Sequence, residues 1–186
     1  MITVKSWPNG VSLWQVPAAD AWTQLRPLLL LADEDARMVA DYLPDCQLWA
    51  LQWRHTFVAS IALRPLTPTV GEIMNLAVAP DQQRQGVGRW LVQWALLQAQ
   101  AADRQQVTVG TGDASLGNIR FYLQNGFRFS GVRPHFFDRY AAPIYEDGLR
   151  LQDMVLLTQT LTPAVLQNAR LICQMAPNIT AVADQL

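Results

Sequence analysis

Seven consecutive residues, Gln83-Arg84-Gln85-Gly86-Val87-Gly88-Arg89, gather two glycines, two cations and two side-chain amides. The apolar run from Ile73 to Val78 reads as a strand that enters this loop. Val87, Leu91, Trp94 and Ala95 recur at helical spacing and read as a helix that leaves it. A helix N-terminus presents N–H groups without partners and a partial positive charge, so it attracts phosphate. Glycine lets an anion approach the backbone, and Arg84 and Arg89 add charge. The bland alternative is a tight turn that packs a helix on a sheet. The loop lacks the third spaced glycine of a dinucleotide site and the Gly-Lys-Ser/Thr of a P-loop.

Asn118, Phe121 and Tyr122 stand at i, i+3 and i+4, so a helix places them on one face. A tyrosine of ordinary acidity is protonated at neutral pH and can donate to a developing anion. It is equally the pattern of a core aromatic whose hydroxyl is satisfied. On the strand from Gly71 to Val78, alternation puts Glu72, Met74, Leu76 and Val78 on one face. A carboxylate among apolar neighbours holds a proton more tightly, which suits a base. The alternative for Glu72 is a strand-end acid facing solvent. Asp153 shares a predicted strand face with Leu149, Leu151 and Val155. It either anchors a cationic ligand or accepts hydrogen bonds from a neighbouring strand. Between the last two predicted strands, Arg133 to Gly148 is long for a hairpin, and long ordered loops are often functional. Phe136, Phe137, Tyr140 and Tyr145 there make an aromatic wall, and Asp138 and Glu146 attract cations. The alternative is a loop whose aromatics cover the core or a partner subunit.

Gln83-x-x-Gly86-x-Gly88 directly follows Met74-Asn75-Leu76-Ala77-Val78-Ala79-Pro80. This resembles the acetyl-CoA signature of the GNAT superfamily of N-acetyltransferases. About 30 residues on, Asn118-Ile119-Arg120-Phe121-Tyr122-Leu123-Gln124-Asn125-Gly126-Phe127 resembles the superfamily's later Asn…Phe-Tyr…Gly-Phe motif. The resemblance covers about Val11 to Leu161. It implies that Gln83 and Arg84 flank a pyrophosphate held by the N–H groups of Gln85, Gly86, Val87, Gly88 and Arg89. It implies that Leu76, Ala77 and Val78 lend their backbone to pantetheine, with one N–H polarising the acetyl carbonyl. Asn118 would bond the pantetheine arm, Tyr122 would protonate the leaving thiolate, and Glu72 would take the amine proton directly or through water. The loop holding Phe136, Phe137 and Glu146 would shape the acceptor pocket, with Asp153 as a further substrate residue. The reaction implied is direct transfer of acetyl from acetyl-CoA to a primary amine, without a metal. Alternatives are another acyl group, a protein N-terminus as acceptor, or an acyl-CoA-binding regulator without turnover.

The bulk of the chain is compatible. Its 186 residues suit one domain, and 51% hydrophobic with 16% charged residues supports a filled core. Lys and Arg total 14 against 15 Asp and Glu, a net charge of -1, so no basic excess points to nucleic acid. Leu28 to Ala32 is too short an apolar run to span a bilayer, so no membrane partner is expected. Met1 to Pro8 does not read as a signal peptide. Cys46 and Cys173 read as reduced, packed thiols of a cytoplasmic protein. His55 and His135 stand in unlike contexts and make no metal site.

These motifs need an α/β frame in the order β-α-α-β-β-β-α-β-α-β-β, a mixed sheet splayed at the cofactor cleft. The expected strands are Val11–Val16, Gln47–Arg54, Thr56–Leu63, Gly71–Val78, Val107–Val109, Phe127–Val132 and Leu149–Leu157. The helices start near Asp20 (with a kink or stop at Pro27), Glu34, Gly86 and Leu116. Residues 1–162 form the domain, and 163–186 a tail with one helix near Ala164–Cys173. That helix belongs to the same domain or to a homodimer contact.

Overall fold

The computed structural model describes residues 1–179; the end of the expected tail lies outside the described residues. Eight strands form one mixed sheet, in the spatial order β1-β2-β3-β4-β5-β6-β10-β7. They are β1 (Ile2–Ser6), β2 (Val11–Val16), β3 (Gln47–Trp53), β4 (Thr56–Pro65), β5 (Val70–Val78), β6 (Gln106–Gly112), β7 (Arg128–Arg133) and β10 (Met154–Thr160). A separate two-stranded hairpin, β8 (Tyr145–Glu146) with β9 (Leu149–Arg150), belongs to the loop after β7. Neighbours in the main sheet run antiparallel except β5 and β6, which run parallel. A parallel pair needs a crossover, here helix α3 (Val87–Ala101).

The sheet is covered on both faces. Helix α3 packs on one face against Leu63, Ile73, Val107 and Val109. Helices α1 (Ala18–Ala32) and α2 (Ala36–Tyr42) cover the other, where Leu25, Leu29 and Tyr42 meet Leu48, Ala62 and Ala77. Helix α1 starts at Ala18 with Pro17 as its cap, not at Asp20, and runs on through Pro27 to Ala32 instead of stopping there. Asp35 caps α2, its Oδ1 accepting the Arg37 N–H at 2.9 Å. Helix α4 (Leu116–Gln124) follows β6.

Two strand assignments differ from expectation. Strand β1 was not expected: Ile2-Thr3-Val4-Lys5 alternates, but the run is short and its side chains are mostly exposed, as on an edge strand. The expected strand Leu149–Leu157 is broken: the N–H groups of Gln152 and Asp153 both donate to the Asp113 carboxylate at 3.2 Å. Those amides are lost to any ladder, so β9 ends at Arg150 and β10 begins at Met154.

Helix α5 (Pro163–Gln174) opens with Thr162 Oγ1 accepting the Val165 N–H and lies on α3. Its Leu166, Ala169 and Cys173 are buried. Burial pushes the Cys173 thiol up to about 12. Trp90 is the hub of this contact. It meets Trp7 edge-on at 5.6 Å, stacks on Trp94 at 5.9 Å and donates its Nε1–H to the Met175 carbonyl at 3.0 Å. Trp90→Ala is therefore expected to cost about 3–5 kcal/mol, read from urea denaturation. A loss under about 1 kcal/mol would deny the hub role.

Candidate active site

Strands β5 and β6 pair only from Val70↔Gln106 to Ile73↔Val109. Beyond that they part, although β5 runs on to Val78 and β6 to Gly112. The parting coincides with a bulge. On β4 the step from Ala62 to Leu63 is matched on β5 by Asn75 to Ile73, so Met74 is the extra residue. Past it, Met74 to Val78 carry backbone N–H and C=O groups toward a gap rather than toward β6. A cavity of about 350 Å³ fills the gap and is lined by Leu76, Ala77, Val78, Gln83, Asn118 and Tyr122 among others. That is the size of a small-ligand site.

The expected loop stands at the end of this gap. Gly86 caps α3 at φ 86°, in the left-handed region that glycine tolerates. The first helical bond runs from the Trp90 N–H to Gly86 O at 2.9 Å, so the N–H groups of Val87, Gly88 and Arg89 have no acceptor within the helix. Arg84 and Arg89 are exposed beside them. At Gly88 a Cβ would stand 3.4 Å from the Phe121 ring and 3.6 Å from Val78, ordinary contact distances, so this position lies against α4 without being closed to a side chain. The first turn of α3 thus rests on α4. The glutamines are staples as well, since Gln83 Nε2 donates to Val78 O at 3.0 Å and Gln85 Nε2 to Asp81 O at 3.2 Å.

Tyr122 lies on α4 with its ring edge-on to Phe121 and Phe127. It is 7% exposed and lines the cavity, and burial pushes its phenol well above the ordinary tyrosine range. It therefore carries its proton at neutral pH, and the same burial makes it a weaker acid than a free phenol.

Glu72 is not where alternation put it. The bulge shifts the phase, so Glu72 falls on the face of Asn75 and Ala77, opposite Leu76 and Val78. Nor are its neighbours apolar. Its Oε2 accepts from Arg64 Nε and Nη2 at 3.1 and 2.7 Å, and its Oε1 lies 2.8 Å from Arg133 Nη2. The carboxylate is 2% exposed, beneath both guanidinium groups. Asp153 is also displaced. Its Oδ1 accepts the His135 N–H at 2.8 Å, holding the turn that starts the 136–139 helical turn, and it lines neither cavity.

The loop between β7 and β10 closes over the sheet. Phe137 and Glu146 line the first cavity. Phe136 lines an adjoining cavity of about 220 Å³, and Tyr140 lines both. Tyr145 is 62% exposed and outside both. Asp138 is taken at the surface by His135 and Arg150, each at 3.2 Å.

Sequence reasoning missed Asp33. It lines both cavities, with Ile73 and Met74 of the bulge. Its Oδ1 accepts the Asp35 N–H at 3.2 Å and its Oδ2 the Tyr140 hydroxyl at 3.4 Å. Burial is the main cause that raises its carboxyl above the usual carboxylate range, and the Asp35 charge adds to this. The Asp35 N–H, the Tyr140 hydroxyl and the Arg139 charge pull the other way. A signal was available: Asp33 is the C-cap of α1, whose last turn has no basic residue, and an acid there opposes the helix dipole. Together the site offers donors for an anion, an opened strand edge, a protonated phenol and a half-buried carboxylate.

The model of the family described as Acetyltransferase (GNAT) family matches residues 9–127. An uncharacterised N-acetyltransferase of Bacillus subtilis, YvbK, is 33% identical over 136 residues, 72% of this chain and 87% of the relative. A GNAT family acetyltransferase of Elizabethkingia anophelis, solved with acetyl-CoA bound, is 31% identical with a TM-score of 0.76, covering 82% of this chain and 99% of its own. A Bacillus subtilis acetyltransferase solved with CoA is 29% identical with a TM-score of 0.71, covering 82% and 98%.

Proposed function

The chain belongs to the GNAT acetyltransferase family, acyl-CoA-dependent transferases, and on that footing we propose that it moves acetyl from acetyl-CoA directly to a primary amine of a small molecule. One observation carries the reading: β5 and β6 part at Ile73 and Val109, leaving an open strand edge beside the N-terminus of α3. The residues present fit the donor. The free N–H groups of Val87, Gly88 and Arg89 would hold the pyrophosphate, with Arg84 and Arg89 beside them. The backbone of Leu76 to Val78 would pair with the pantetheine arm, and Asn118 would bond it from α4. When bound, acetyl-CoA supplies the activated thioester. An N–H of the open edge polarises its carbonyl. Tyr122 donates a proton to the departing sulfur.

The amine must lose a proton before nitrogen attacks. Glu72 has both oxygens committed to guanidinium groups, whereas Asp33 faces both cavities with a tyrosine as its side-chain partner. Asp33 is therefore the better proton acceptor, and Glu72 acts as the anchor of two arginines. An acceptor cavity of about 220 Å³ under a loop favours a small molecule over a folded polypeptide.

The test is thiol release from acetyl-CoA across a panel of primary amines. Turnover with at least one amine is expected. CoA at a hundred times its Kd is expected to stabilise the fold by about 2.7 kcal/mol. Stabilisation without turnover on any amine would make the protein a CoA-binding regulator. Neither result would remove the donor site as well.

A further inference from the structure

We propose that the acceptor is a zwitterion: a small aminocarboxylate with an apolar side chain, its amine at Asp33 and its carboxylate on Arg64 and Arg133. This rests on the acetyl-transfer reading and names the class of molecule that the acceptor cavity takes.

The charged residues lining that cavity are Asp33, Asp41, Arg64, Glu72, Arg133 and Arg139. They are sorted in space. Glu72 is 2% exposed, while the Arg64 and Arg133 side chains above it are 27% and 31% exposed. Two guanidinium groups share one carboxylate, so that trio keeps one positive charge on the cavity wall, where the exposed Asp41 also stands. The recorded bonds use Arg64 Nε and Nη2 on Glu72, Arg133 Nη2 on Glu72 and Arg133 Nη1 on the Met154 sulfur at 3.6 Å. A guanidinium has five N–H donors, so each keeps some for a second anion, and the planar fork suits a carboxylate. Because Glu72 fixes both groups in advance, little side-chain order is lost on binding. Arg139 is occupied otherwise, its guanidinium 4.7 Å from the Phe136 ring centre.

At the other pole stands Asp33, which opens into the acetyl side through Met74 and Gly110, shared by both cavities. Groups facing Asp33 are Asp35, Arg139, Tyr140 and Tyr42, with Glu34 on the same stretch. None is a lysine or arginine hydrogen-bonded to its carboxylate. A protonated amine is the ligand that completes it. The wall between the poles is apolar: Met38, Met74, Met154 and Phe136. Flexible methionines accept varied shapes, so the frame between amine and carboxylate carries an apolar group.

The experiment uses matched probes that differ by one carboxylate: phenylalanine against phenethylamine, and methionine against 3-(methylthio)propylamine. In the wild-type protein the carboxylated member of at least one pair is expected to show kcat/KM about 10–100-fold higher. Arg133→Gln is expected to erase that preference by raising KM for the carboxylated member of the pair. Glu72 keeps Arg64, so the variant leaves no buried charge alone. If the decarboxylated members turn over as well or better, the proposal is wrong. It is equally wrong if Arg133→Gln, still stabilised by CoA, keeps the preference. If no probe turns over, calorimetry of the same pairs on CoA-loaded protein decides: equal affinity within each pair overturns the zwitterion reading. Absence of CoA stabilisation would instead sink the acyltransferase reading itself.

Discussion

Asp33→Asn is expected to lower kcat/KM by about 10²–10⁴-fold while leaving CoA binding unchanged. That range is what a positioned base contributes. The substitution keeps an oxygen to accept the Asp35 N–H, so the loop at the end of α1 retains its bond. The sign of its effect on stability follows from the raised folded-state affinity for the proton. An Asp above its ordinary value of 3.8 binds a proton in the folded chain where the unfolded chain has released it. Its charge therefore opposes folding at neutral pH, and that opposition fades as pH falls toward the unfolded value. Asn carries no such charge, so the variant should be at least as stable as wild type at pH 7. The wild-type pH-rate profile should fall on its acidic side as Asp33 takes up a proton, at a pH above 3.8. The Asn variant should lack that limb. An intact limb would move the base away from Asp33.

Tyr122→Phe is expected to reduce kcat by about 10²-fold or more, with acetyl-CoA affinity nearly unchanged. The ring packs edge-on between Phe121 and Phe127, and Phe fills the same space, so the core stays closed. Only the proton donor is lost. Because burial lifts the phenol far above neutral, no basic limb attributable to Tyr122 should appear below about pH 9 in the wild type. Unchanged turnover would return Tyr122 to the role of a core aromatic. A CoA leaving group that needs no acid would give the same result, and a slower, more basic thiol leaving group separates the two.

The donor half of the site was legible because it is local. Gln83 to Arg89 is one turn of backbone, and Asn118 to Phe127 is one helix with its stop. Residue types and short spacings specify such units by themselves. The acceptor half depends on backbone events and distant contacts. No residue type announces the extra Met74, yet it turns Glu72 to the other face of the sheet. Asp153 looked like a strand residue because the break at Gln152 comes from Asp113, on the far side of α4 and β7 in sequence. Asp33 acquires its setting from Tyr140, 107 positions away, once the loop after β7 folds over α1. The fold itself was read nearly whole. The exposed edge strand β1, the short β8 inside the expected loop, and the division of the last expected strand into β9 and β10 escaped.

The bulge at Met74 also constrains how this chain can vary over time. Most positions of a sheet are tested by side chain alone, and a tolerable substitution passes. From Val70 to Val78 the number of residues matters as well. Losing Met74 would keep Glu72 opposite Arg64 and Asn75 opposite Ala62, but it would remove the bulge at which β5 parts from β6. Composition would barely change, and no motif would be lost. Relatives that keep this open strand edge are therefore expected to keep the length of the strand, and a deletion inside it is expected to close the gap between β5 and β6.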